Sequence, residues 1–160
     1  MKIAKTNAAR LLDKLGINYE MHQTEVDLED LSATTMAANL GENPEQVFKT
    51  LVCRGDKEGV LMACIPADQE LDLKALALAS GNKHVEMVHL KEVLGLTGYV
   101  RGGCSPLAAK KNYPVYLDES AILYDTIFIS AGLRGVQLEL KPEDLAKATY
   151  GTFVDLTRHN

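Results

Sequence analysis

The chain has 160 residues, of which 46% are hydrophobic and 24% are charged, and its formal net charge is −5. This size and composition predict a globular protein with a single domain over 1–160, and no apolar run approaches the roughly 20 residues that a membrane helix needs. The acidic balance argues against a dedicated nucleic-acid-coating protein, and we expect no DNA partner, because phosphate contacts favour a basic surface.

The N-terminal segment and the cysteines indicate a cellular compartment. Residues 1–7 lack the apolar core and the cleavage pattern of a signal peptide. The three cysteines, Cys53, Cys64 and Cys104, are odd in number and widely spaced, which favours free thiols over a disulfide framework. We therefore expect a cytoplasmic protein.

Short helical and strand patterns interleave along the chain. In chain order they predict a helix at 6–15, a strand at 17–22, a helix at 32–40, strands at 46–53 and 60–65, a helix at 73–80, a strand at 85–88, a helix at 90–94 ending at Gly95, strands at 115–117, 126–130 and 136–140, and a helix at 143–148. The polar loop at 54–59 indicates a β-hairpin. The spacing is not that of a doubly wound sheet, so we expect an α/β fold with a mixed, largely antiparallel sheet, curved or closed into a barrel, and helices packed outside.

Lys49 is unusual because it lies within an otherwise apolar strand. Side chains alternate between the faces of a strand, so Lys49 shares a face with Val47 and Leu51. Burial disfavours a charged ammonium, so the side chain either reaches water near the strand end or faces a polar pocket. The residue alone leaves both interpretations open.

Two glycine-rich segments are candidate ligand loops. One, at 98–107, contains Gly102, Gly103 and Pro106, and the other places Ser130 at a strand end before a glycine turn. Glycine allows positive φ and close backbone approach, so amide groups can be aimed at an oxyanion or a phosphate. Such segments are also common as structural turns, and both interpretations stand.

Basic side chains lie close in sequence to these glycine-rich segments and could form a local patch or a solvated surface. They are Arg101, Lys110, Lys111 and Arg134.

Several familiar chemical sites are absent from the sequence. There is no Cys-x-x-Cys pair, no phosphate-binding Walker loop and no dinucleotide fingerprint, and His84 and His89 lack the helical spacing of a zinc protease. We expect neither a metal nor a cofactor. A hydrolase with Cys104 as the nucleophile is an alternative, although no activating base is evident beside it.

Taken together, several segments resemble the YbaK/EbsC family of trans-editing aminoacyl-tRNA deacylases, which is similar to the editing domain of bacterial prolyl-tRNA synthetases. The segments are 47–51, 85–87, 97–99, 102–107, 110–111 and 130–135. The resemblance implies the fold of that family and two partners, a mischarged tRNA(Pro) and prolyl-tRNA synthetase. It also implies cleavage of an amino acid ester without a cofactor.

The resemblance further implies roles for single residues. Lys49 matches the key functional lysine of the family, Gly102 opens a Gly-x-x-x-Pro motif that Pro106 completes, and Ser130 matches a serine, so these three positions, Lys49, Gly102 and Ser130, are the implied catalytic residues. The implied substrate-binding residues are Thr50, Gly103, Pro106, Gly132, Arg134, Thr24 and Gln137. The family often has an aromatic hydroxyl near Thr24 and an acid near Gln137, and both are replaced here.

The implied activity is removal of cysteine from mischarged Cys-tRNA(Pro), with Cys-tRNA(Cys) as a further substrate. In the chemistry proposed for the family, the thiol of the substrate cysteine attacks the carbonyl of its own ester. The cysteine is released as a cyclic thiolactone, so no protein nucleophile is needed. One alternative is a deacylase specific for alanine or of broader specificity. Another is a module that binds tRNA or the synthetase without chemistry.

Overall fold

The computed structural model describes residues 4–159 and contains short helices and strands in alternation. In chain order the elements are α1 (Asn7–Lys14), β1 (Glu20–Gln23), α2 (Ala33–Leu40), β2 (Phe48–Gly55), β3 (Gly59–Pro66), α3 (Leu73–Ser80), β4 (Val85–Met87), α4 (Leu90–Thr97), β5 (Val115–Asp118), a 3-10 helix (Glu119–Leu123), β6 (Ile127–Leu133), β7 (Val136–Leu140), α5 (Pro142–Thr149) and β8 (Thr152–Val154). Among these helices, none combines the length and the apolar composition that crossing a bilayer requires.

The strands form two sheets. A three-stranded antiparallel sheet has the order β1-β7-β6, and a five-stranded mixed sheet has the order β4-β2-β3-β5-β8. Strands β2 and β3 form the predicted hairpin, whereas β3 pairs with β5 and β5 with β8 in parallel. The expected mixed α/β architecture with helices outside the sheets is confirmed.

Helix ends follow local capping signals. The Thr6 hydroxyl accepts a hydrogen bond from the Ala9 amide at 3.2 Å and caps α1, as serine and threonine commonly do. Helices α2 and α3 end at Gly41 and Gly81 with φ of 76° and 78°, a conformation that glycine adopts without strain.

Helix α4 is longer than the sequence pattern predicts. It continues through Gly95 to Thr97 and ends at Gly98, whose φ is 83°. The prediction of an end at Gly95 was wrong because an exposed glycine within a helix costs only about 1 kcal/mol relative to alanine. The Thr97 hydroxyl also donates to the Val93 carbonyl at 2.7 Å and holds the last turn.

Other boundaries differ by a few residues. The first strand begins at Glu20 rather than Ile17, and β6 extends to Leu133 through an irregularity after Ser130. The sequence pattern did not predict β8 or the 3-10 helix. Both are short, and β8 pairs with β5, which is distant in the chain.

Strand β2 contributes side chains to two hydrophobic clusters, as its alternation predicts. Phe48 and Val52 belong to the main core, whereas Cys53 is in a second cluster and Leu51 packs against it. Lys49 therefore lies on a strand whose two faces are both covered by other elements.

The two sheets meet next to the start of β2. Val47 forms an isolated parallel bridge with Phe128 of β6, and the Phe128 amide donates to the Gln46 carbonyl at 3.1 Å. The Gln46 side-chain amide donates to the Thr126 carbonyl at 2.7 Å. We call these three contacts the seam, and they fix the start of β2 beside β6.

Candidate active site

A cavity of about 450 Å³ opens beside the seam. Its walls come from β2 and the residue before it, from α2 and the two residues before it, from the residue after β3, from the end of β4, from the start of α4, from the 101–104 loop and from one residue each of β6 and β7. The lining residues are Leu31, Ser32, Ala33, Thr34, Met36, Val47, Phe48, Lys49, Thr50, Leu51, Val52, Ala67, Met87, Val88, Leu90, Val93, Arg101, Gly102, Cys104, Ser130 and Gln137. The volume is typical of sites for small molecules.

Lys49 is half-buried and faces this cavity. Its Nζ donates to the Ala67 carbonyl at 3.1 Å, which leaves further protons of the ammonium to a ligand. Burial lowers the pKa of Lys49, and the negative charges of Asp68 and Glu70 act in the opposite direction. Of the two interpretations of this lysine, the pocket is the one that the structure supports.

Ser130 and Gln137 lie opposite each other on the paired strands β6 and β7. The Ser130 Oγ accepts a hydrogen bond from the Gly132 amide at 3.1 Å, so its own proton remains available to a ligand. Gln137 is only 4% exposed, and its Oε1 has no hydrogen-bond partner among the described residues. The cavity therefore contains one unused donor and one unpartnered acceptor on neighbouring strands.

The glycines of the candidate loops have two different uses. Gly102 lines the cavity with a φ of 84°. Gly103 does not line it, and its amide donates to the Val100 carbonyl at 2.9 Å. A Cβ at Gly103 would lie 3.2 Å from the backbone nitrogen of Arg134, so this glycine permits close packing of the two loops.

Gly132 also serves loop packing. A Cβ at this position would lie 2.7 Å from Cε1 of Tyr99. The Tyr99 hydroxyl in turn donates to the Leu107 carbonyl. The tyrosine thus holds the 98–107 segment against the end of β6, next to the cavity but outside it.

The remaining predicted positions are divided between the cavity and its surroundings. Thr50 lines the cavity, and its hydroxyl lies 3.6 Å from the Cys64 sulfur. Pro106 is buried outside the cavity, and Thr24 places its hydroxyl on the Met36 sulfur at 3.3 Å. The cavity thus brings together Lys49, Thr50, Gly102, Ser130 and Gln137, and does not include Gly103, Pro106, Gly132, Arg134 or Thr24.

Cys104 lines the cavity, but its environment does not activate it. Burial raises the pKa of this thiol to about 11, whereas a nucleophilic cysteine needs a readily formed thiolate. No histidine is among the described residues that line the cavity. Cys53, Cys64 and Cys104 are free thiols, as expected.

One group among residues 4–159 has the side chains to hold a metal ion: Glu20, His22 and Glu139, whose ligand atoms lie within 4.8 Å of one another. The sequence did not indicate it, because the third member comes from a distant strand. Two of its members already bond to each other, since His22 Nε2 lies 2.9 Å from Glu139 Oε1. The Thr126 hydroxyl is bonded to the other Glu139 oxygen, and this bond, followed by that of His22, lowers the pKa of Glu139.

Sequence patterns missed much of the apolar wall. Leu31, Leu90 and Val93 line the cavity. The spacing of Leu90 and Val93 indicates only a helix that packs on a core. Leu90 is 62% exposed, which is consistent with its position in the wall of an open cavity.

Comparison with known proteins identifies the family. The family described as "Aminoacyl-tRNA editing domain" matches residues 29–148. The chain is 48% identical to the Enterococcus faecalis protein named "Putative Cys-tRNA(Pro)/Cys-tRNA(Cys) deacylase EbsC", over 96% of this chain and 93% of that protein.

Solved structures share the fold. A hypothetical protein superimposes with a TM-score of 0.86 at 23% identity, over 96% of this chain and all (100%) of that one. A structure described as "a putative trans-editing enzyme for prolyl tRNA synthetase" gives a TM-score of 0.80 at 24% identity, over 98% and 100% of the two chains. The family match and the identity to EbsC place the chain in the aminoacyl-tRNA editing domain family, and it is an aminoacyl-tRNA deacylase.

Proposed function

We propose that this deacylase removes cysteine from mischarged Cys-tRNA(Pro), with Cys-tRNA(Cys) as a further substrate. The name of the Enterococcus faecalis relative, at 48% identity, supports this choice of amino acid and tRNA. Prolyl-tRNA synthetase is the proposed partner, because a proline pocket cannot strongly exclude an apolar amino acid of similar size. The observation that carries the proposal is a cavity that contains a lysine ammonium with protons left for a ligand and, among its described lining residues, no activated nucleophile.

In the proposed reaction the substrate supplies its own nucleophile. The cysteine sulfur attacks the ester carbonyl, the bond from that carbon to the ribose oxygen breaks, and the thiol proton ends on the released ribose hydroxyl. The products are a cyclic thiolactone and free tRNA. Because both reacting groups belong to one residue, the protein has to hold them in a reactive geometry, and such positioning can lower a barrier greatly.

Most of the predicted site residues have a part in this scheme. Lys49 orients the 3′ nucleotide or the ester and stabilises the negative charge that develops on the carbonyl oxygen. The Gly102 backbone lines the carbonyl site, and the Ser130 hydroxyl donates to the substrate. Gln137 and Thr50 contact the amino acid or the ribose. Gly103, Gly132 and Pro106 act on substrate binding by holding the loops in place.

Deacylation of tRNA(Pro) charged separately with cysteine, alanine and serine tests the proposal. We expect rapid loss of the cysteine ester only, a loss of activity of about a hundred-fold or more in Lys49→Ala, and full activity in Cys104→Ala. Lys57→Ala is the matched control, since Lys57 lies in the turn at the other end of the same hairpin. Mass spectrometry should detect the thiolactone in fresh reactions.

Each other outcome points elsewhere. Equal cleavage of the alanine ester would contradict the proposed specificity and favour a broader deacylase. Loss of activity in Cys104→Ala would contradict the role of the substrate thiol. Activity that survives in Lys49→Ala would remove the lysine from the mechanism.

A further inference from the structure

Two arginines flank Gly102, a glycine that lines the cavity. Arg101 is exposed and lines the cavity. The Arg134 Nε donates to the backbone carbonyl of Arg101 at 2.7 Å. Between them, Gly102 has no side chain, and a Cβ there would lie 3.6 Å from the Arg134 Cγ and Nε. The packing of the two loops therefore brings these two arginine residues together beside Gly102, at one edge of the site.

Within residues 4–159, neither arginine forms an ion pair with an acidic side chain. None of the ion pairs between described residues includes either side chain. Arg134 shares a narrow crevice with Glu25, Asp27 and Asp30, none of which forms an ion pair with it among the described residues, and Asp30 accepts hydrogen bonds from Ser32 and Thr35. In a chain whose net charge is −5, two neighbouring arginines outside these ion pairs indicate a site for an anion.

The position of the pair suggests which anion it binds. If the cavity holds the esterified amino acid and its adenosine, the phosphate on the 5′ side of that nucleotide has to pass the mouth. Arginine matches phosphate particularly well, because its planar guanidinium can donate two parallel hydrogen bonds.

We propose that Arg101 and Arg134 bind the phosphate that precedes the terminal nucleotide of the tRNA. The proposal rests on the function proposed above, since it places the esterified end of the tRNA in the cavity. A backbone contact of this kind carries no base information. The pair therefore anchors the 3′ end of any aminoacyl-tRNA, and the cavity selects the amino acid.

Three cysteine esters that differ only in their phosphates provide the test. They are Cys-tRNA(Pro), 3′-cysteinyl adenosine, and 3′-cysteinyl adenosine 5′-phosphate. We expect kcat/KM of Arg101→Gln and of Arg134→Gln to fall about ten-fold for the two substrates with a phosphate, relative to the bare adenosine ester. Arg10→Gln is the control, since Arg10 is exposed on α1 and its side chain donates to the Asn7 side chain.

Binding of uncharged tRNA gives a second readout that does not depend on cleavage. Fluorescence anisotropy at several salt concentrations should give a weaker Kd for each variant. The slope of log K against log salt should become less negative by about 0.7 for one lost phosphate contact.

The outcomes separate this proposal from the function on which it rests. Equal losses on all three esters, or an unchanged salt slope, would overturn the phosphate site even if the wild type cleaves every cysteine ester. A wild type that binds tRNA through these arginines but cleaves no cysteine ester would overturn the proposed function and support the phosphate site.

Discussion

At the scale of single residues, the site keeps polar groups where they weaken the fold. Lys49 is half-buried, and burial lowers its pKa, so its charge is less stable there than in water. Gln137 leaves an oxygen without a partner among the described residues. A buried polar atom without a hydrogen bond costs about 1 to 3 kcal/mol. Both positions are explained by a ligand that pairs with these groups.

Replacement of Gln137 should therefore stabilise the fold and lower the deacylase activity. We expect Gln137→Leu to raise the free energy of unfolding by about 1 kcal/mol, because it removes the unpaired oxygen. Its activity on Cys-tRNA(Pro) should fall. Urea unfolding followed by circular dichroism measures the first effect, and the deacylation assay measures the second.

Gln46→Leu is the matched control for that experiment. Gln46 donates to the Thr126 carbonyl at 2.7 Å, so its replacement leaves a backbone acceptor unpaired and should destabilise the protein. If both glutamine variants are destabilised equally, the Gln137 oxygen has a partner in solution and the argument for a ligand at this position fails.

At the scale of secondary structure, the helices were predictable and several strand pairings were not. Capping residues and terminal glycines act within four residues of a helix end, so α1, α2 and α3 were predicted nearly to their limits. Parallel pairing joins segments that are distant in the chain, and nothing local in 152–154 indicates a partner at β5. Lys49 was found because a charge interrupts an apolar strand, whereas the apolar walls of the cavity look like ordinary core.

The cap of α3 offers a test at this scale. The Asp72 carboxylate accepts hydrogen bonds from the amides of Lys74 and Ala75 at 3.0 and 3.1 Å. Asp72→Ala should lower the free energy of unfolding by about 1 kcal/mol, and Asp72→Asn, which keeps an acceptor, should lower it much less. Chemical unfolding of the wild type and the two variants measures this, and equal losses in both variants would mean that the charge of Asp72, and not its hydrogen bonds to the helix, stabilises α3.

At the scale of the whole molecule, the C-terminal segment completes the five-stranded sheet. Strand β8 pairs with β5, and just after it the Leu156 amide donates to an Asp118 carboxylate oxygen at 2.9 Å. The Leu156 side chain is fully buried (0% exposed) in the second cluster. A segment that the sequence pattern did not assign to any element is thus part of a hydrophobic core.

Leu156→Ala measures the contribution of this segment. Truncation of a buried leucine leaves a cavity, so the free energy of unfolding should fall by about 2 to 5 kcal/mol. Leu123→Ala is the control, since Leu123 is 80% exposed and its truncation should change stability by less than about 0.5 kcal/mol. A loss in Leu156→Ala as small as in the control would mean that the C-terminal segment does not pack on the sheet in solution.

The seam has a consequence for how such a protein can change over time. Lys49 and Ser130 belong to different sheets, and the backbone contacts of Val47 and Gln46 with β6 set the spacing between those strands. Side chains of the apolar wall, such as Leu31 and Val93, take no part in these contacts. We expect mutation to reshape that wall without moving the reacting groups, so descendants of one ancestral protein could come to remove different amino acids while keeping the same chemistry.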